Sequence, residues 1–196
     1  MRNPEQLTKS DIEALRGELF HMILFSLAWA LIGEYVLNFT DYAAGAGLIL
    51  IIVVGLALYT IKLYKVEDEL EEYAGFEDRT VLRKDRLYAI IFVFESVAIF
   101  ITWALIFKLG HENWLICCFA GIAGLHFFPL ARVIRQNSYY WLGVWLCALS
   151  VGGLLLLISG KMPEDEVDWI VAYGCAAGGA FDGIWIMWKT RRTLMP

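Results

Sequence analysis

The stretch "YAAGAGLILIIVVGLALYTIKLY", Tyr42–Tyr64, decides how the rest of the chain is read. It carries no charge before Lys62. As a helix it rises about 34 Å at 1.5 Å per residue, enough to cross about 30 Å of hydrocarbon. A strand reading fails, because the run does not alternate apolar and polar residues and is longer than a membrane strand needs. Five further runs have the same character: Leu19–Phe39, Leu87–Phe107, Asn113–Ala131, Tyr139–Ile158 and Asp168–Trp188. The sequence therefore predicts an all-α polytopic transmembrane bundle of six helices.

Composition agrees. Hydrophobic residues make up 59% of the 196, against about 45–50% in a soluble domain. The charged 19% gather between the apolar runs. Water leaves a fold of this size no place for so much apolar surface, whereas lipid is itself the solvent for it. Cys117, Cys118, Cys147 and Cys175 all lie inside apolar runs without CxxC spacing, and read as small packing residues. The net charge of −5 averages two oppositely charged faces.

Lys and Arg set the expected direction. Arg2, Lys9 and Arg16 precede the first run. Lys62, Lys65, Arg79, Arg83, Lys84 and Arg86 lie between the second and third, Arg132 and Arg135 between the fourth and fifth, and Lys189, Arg191 and Arg192 in the tail. Fourteen of the sixteen cations thus share one side, and only Lys108 and Lys161 lie on the other. Both termini are expected in the cytoplasm. Tyr42, Trp114 and Trp169 would mark the outer boundary, and Tyr64, Tyr139, Trp141 and Trp188 the inner one. The outer surface would carry Asp41, Glu112, Glu164, Asp165, Glu166 and Asp168.

Residues 1–18 read as a cytoplasmic amphipathic segment, with Ile12, Leu15 and Leu19 on one face, lying along the headgroups or running straight into the first span. No cleavable leader is expected, since the first apolar run is full length and follows this charged segment. Residues 19–188 form the transmembrane domain, interrupted by the charged cytoplasmic loop 65–86, and 189–196 a basic tail. That loop reads as an acidic half and a basic half, either a solvated charged hairpin that fixes topology or an antiparallel stalk on which a partner docks. Asn38–Asp41 leaves room only for a tight outer hairpin.

Ionisable groups at bilayer depth cost roughly 2.5–3.5 kcal/mol on insertion scales, so they face protein, water or one another. Glu95 lies about 12 Å inside the cytoplasmic end of its span, Asp182 about 9–10 Å and His126 about 8 Å. Their shared level makes them the candidate lining of a cytoplasm-facing polar cavity. Carboxylates would take a cation or proton, and an imidazole exchanges protons near neutrality. Tyr88, Glu95 and Thr102 fall at sevenfold spacing, a polar stripe in an otherwise apolar helix. Gly174 with Gly178, and Gly179 with Gly183, have the spacing that lets helices approach closely, within the chain or between copies in a homo-oligomer. Pro129 frees the carbonyl of Leu125 next to His126, giving an expected bent and wettable patch. Arg132 either reaches the headgroups or turns inward to a carboxylate, and His21 lies nearer the inner boundary. Glu34, beside Tyr35 near the outer end, is expected to reach water.

Three readings follow. The first is a small proton- or cation-linked transporter or channel. The second is a non-catalytic scaffold or partner subunit whose polar residues lock the helices. The third is a metal-dependent membrane enzyme drawing ligands from His21, Glu95, His126 and Asp182. No cofactor motif is present, and no nucleic-acid partner is expected. Inverted repeats gain no support, since Glu95 lies near the start of its helix and Asp182 near the end of its own.

The segment Leu125–Ala131, "LHFFPLA", resembles a Leu-His-Phe-x-Pro-Leu-Ala segment of small bacterial polytopic membrane proteins of unassigned function. The resemblance implies an inner-membrane, multi-pass protein and assigns no catalytic residue.

Overall fold

A computed structural model describes residues 9–37, 45–69 and 79–194. They form six long helices: α1 Lys9–Val36, α2 Gly45–Glu69, α3 Arg79–Leu109, α4 Leu115–Ile134, α5 Ser138–Ser159 and α6 Glu164–Leu194. A 3-10 turn, Glu112–Trp114, leads into α4, and there is no strand among the described residues. Each of the six is long and apolar enough to cross a membrane. The Asn38–Asp41 hairpin and the middle of the charged loop lie outside the described residues.

Every helix outruns its apolar run at one or both ends, because hydropathy marks only the part suited to hydrocarbon. α1 continues unbroken across positions 18 and 19, with Ile12 and Leu19 fully buried. Of the two routes open to the amino-terminal segment, it takes the straight one. α6 begins at Glu164, with Glu164, Asp165 and Glu166 in its first turn. Acids there complement the partial positive charge of a helix start. Asp168 consequently falls in the second turn and is buried, not on the outer surface. The chain reverses at left-handed residues: Gly110 after α3, Arg135 after α4 and Gly160 after α5.

α6 is the hub, touching α1, α2, α4 and α5. Its glycines divide among three neighbours, with Gly183 under Leu56 of α2. Gly179 lies under Phe25 and Ser26 of α1, while Gly174 and Gly178 lie under Leu149 and Trp145 of α5. Trp145 Nε1 also donates to the Gly174 carbonyl at 2.9 Å. The α4–α5 seam is closer still. A Cβ on Gly124 would come within 3.0 Å of Cys147 Sγ, the Cys147 amide nitrogen and the Gly143 carbonyl oxygen. One on Gly153 would meet Cys117 Sγ at 2.6 Å. All four cysteines are free thiols, and Cys117 and Cys147 fill the space that these glycines leave.

α3 is peripheral. It packs mainly on α4 and on the turn preceding it, and its Tyr88 and Phe92 also reach His21 of α1. Its less exposed positions among the described residues, Tyr88, Ile91, Phe92, Glu95, Ala98, Ile99, Thr102 and Ile106, follow the sevenfold stripe read from the sequence. Tyr139, expected at the headgroups, is instead fully buried, with its ring 5.5 Å from that of Phe127. The start of α5 turns this side chain inward against α4.

Candidate functional site

Among the described residues, Glu95 with His126 and His21, Asp182, and Glu34 fall into three places, not one. The first joins α3 to α4. His126 is 7% exposed, and its Nδ1 lies 3.0 Å from Glu95 Oε1. The pair carries opposite charges whenever the ring holds its second proton. The carboxylate oxygen sits off the line of the ring N–H, so neither imidazole nitrogen has an aligned hydrogen-bond partner. His21 of α1 adds a second imidazole, its ring 6.2 Å from that of His126 and edge-on to it. The Nε2 of His21 is buried and also lacks a partner. Tyr88, Phe92 and Phe127 close around the two rings. Two imidazoles and a carboxylate in an aromatic box can hold and pass a proton. Each unpartnered nitrogen is an open position for a donor, a water or a proton.

Asp182 is elsewhere. It faces Ser138, the first residue of α5. His126 lies next to Phe127, which packs on Gly143. Ser138 and Gly143 are five residues apart on α5, so Asp182 sits about 8 Å nearer the side of the chain termini. It lines a groove between α2 and α5 that neither Glu95 nor His126 lines. The shared level expected from sequence therefore holds for Glu95 and His126, which meet, while Asp182 stands apart.

The third place was not legible as a site. Glu34 is 6% exposed and accepts a hydrogen bond from the hydroxyl of Tyr173 on α6. The Tyr173 ring lies between Gly33 of α1 and Gly45 of α2, either of which would clash with it if it carried a Cβ. This corrects the expectation that Glu34 reaches water: Tyr35, its neighbour, is the exposed one. The signal available in the sequence was Gly33 and Gly45, small residues flanking the acid.

The supporting residues separate as well. Tyr88 belongs to the aromatic box, and Thr102 continues the α3 stripe, half-buried, two turns beyond Glu95. Arg132 is exposed and makes no ion pair among the described residues, which leaves the headgroup option of the two. α4 runs through Pro129 without a break. Pro129 and Leu125 are exposed while His126 is buried. Positions 125 and 129 lie about 100° and about 60° to the same side of position 126 and both are exposed, so the proline is on the outer side of α4 and not on the polar one. Among the described residues no three His, Cys, Asp or Glu side chains gather as a metal site. No protein family, curated protein or solved structure matches the chain.

Proposed function

We propose that this chain is an integral membrane protein of the plasma membrane that exchanges a proton, or a small cation in its place, with the cytoplasm at Glu95 and His126. The 3.0 Å approach of Glu95 to His126 carries the reading. An acid and an imidazole from different helices, with open ring nitrogens and a second imidazole one ring away, give a proton three stations inside an apolar bundle. In transport a proton passes from cytoplasmic water to the carboxylate or the ring and is released on the opposite side of the membrane; no covalent bond other than that proton's is made or broken. The fourteen cations on the side of the termini support a cytoplasmic placement of both ends. The Leu125–Ala131 resemblance supports a bacterial inner membrane.

A scaffold role is the second reading, and one observation favours it. Among the described residues the Glu95–His126 contact lies on the packed stripe of α3, so it also fixes α3 against α4. Flux separates the two. In sealed liposomes with an imposed potential and an internal pH dye, the native chain should carry protons, and Glu95→Gln should fall to the protein-free background while remaining helical. A native chain that leaves the dye unchanged, with Glu95→Gln lowering only the melting temperature, would establish the scaffold instead.

A further inference from the structure

A second ligand site stands on observations separate from the Glu95–His126 reading. α2 and α5 both pack on α6, and a groove of about 880 Å³ runs between them. Leu48 and Ile52 form its α2 wall, Trp141 and Trp145 its α5 wall, and Phe181 and Trp185 part of its α6 floor. Trp141 is 76% exposed and Phe181 69%. In a bilayer such a groove opens sideways onto acyl chains, so its occupant is a membrane amphiphile and not a solute from water.

One end of the groove is polar. Ser138 and Asp182 meet there, with Asn137 beside them. Asp182 is 4% exposed, and its Oδ2 has no hydrogen-bond partner, nor has Ser138 Oγ. Among the described residues no lysine or arginine pairs with Asp182. A buried carboxylate met only by the poorly aligned neutral hydroxyl of Ser138 favours a ligand that brings a stronger donor. A carboxylate beside tryptophan faces suits an ammonium group, through charge and through the ring quadrupole. From Ser138 the groove runs about 10 Å along α5 to Trp145, toward the middle of the bundle. The polar end is therefore on the side of the chain termini and the apolar length points to the midplane, which is how a phospholipid of that leaflet lies.

We propose that this groove binds a phospholipid with an ammonium headgroup from the leaflet on the side of the termini. Its amine sits on Asp182, and one acyl chain lies along Trp141 and Trp145. The test uses the tryptophans. The full chain is placed in phosphatidylglycerol vesicles with a small fraction of phosphatidylethanolamine carrying brominated acyl chains, which quench tryptophan fluorescence on contact. Brominated phosphatidylglycerol and brominated diacylglycerol serve as parallel probes. The native chain should bind the brominated phosphatidylethanolamine about five-fold more tightly than either, equivalent to about 1 kcal/mol. Asp182→Asn should bring the three to parity. Ala177 is exposed and lines the groove, so Ala177→Phe fills it from the outer side. That variant should also lose the preference, and it keeps the test available if Asp182→Asn does not fold. Diacylglycerol quenching as strongly as phosphatidylethanolamine would mean that tails alone fill the groove. A preference that survives in a folded variant of either kind would place the amine elsewhere. Each result overturns the proposal.

Discussion

Glu34 and Tyr173 show what one buried polar contact is worth in this chain. The Tyr173 hydroxyl reaches Glu34 from a helix 139 residues away in sequence. Removing it leaves a buried carboxylate without that donor, which costs about 1–3 kcal/mol. Tyr173→Phe is therefore expected to lower the unfolding free energy by that amount in bilayer or detergent, measured by thermal melting of the helical signal. Tyr35→Phe, at an exposed neighbour, should leave it unchanged. Equal melting of both variants and the native chain would mean that the hydroxyl contributes nothing. The contact was hidden in the sequence because tyrosine near a helix end reads as a headgroup anchor, and no local spacing links positions 34 and 173. Glu95 and His126 were legible because depth could be counted from each helix end. Asp182 was misplaced by the same counting, since α6 extends well past the start of its α5 neighbour.

At the scale of the helices, close packing is carried by glycines, and their environments differ enough to be tested. A Cβ at Gly124 would meet backbone atoms of α5 as well as Cys147 Sγ, whereas one at Gly152 would meet open space. Gly124→Ala is expected to destabilise by about 1–3 kcal/mol through forced separation of α4 and α5. Gly152→Ala should stay within about 1 kcal/mol of the native chain, on the stabilising side, because alanine is the better helix former. The same melting measurement checks both, and equal effects would contradict the seam as described. The sevenfold stripe on α3 was readable because a helix with a single packed face shows it as a period. The glycine pairs of α6 announced close approach, but not that Gly179 serves α1 while Gly174 and Gly178 serve α5. Spacing fixes a face and says nothing of which neighbour covers it. Pro129 misled in a related way: the Leu125 carbonyl it would free belongs to the exposed face of α4, away from His126.

The whole molecule is a hub helix, α6, with α1, α2, α4 and α5 around it and α3 added on the outside of α4. The count of six membrane-crossing helices came from length and hydropathy alone. The arrangement did not, because lipid-facing and protein-facing residues are equally apolar in these spans. That arrangement sets the account's two polar places apart. The α3–α4 pair is buried in an aromatic box, and the α2–α5 gap opens on lipid. In the proposed function Glu95 and His126 exchange a proton with water on the side of the termini. Infrared difference spectroscopy of the full chain in oriented proteoliposomes, with pH changed on that side alone, tests this most directly. A carboxyl band that is absent from Glu95→Gln and altered in His126→Ala should appear and vanish with the pH of that side. A band that responds only to the opposite side, or a difference spectrum that Glu95→Gln leaves untouched, would contradict the account.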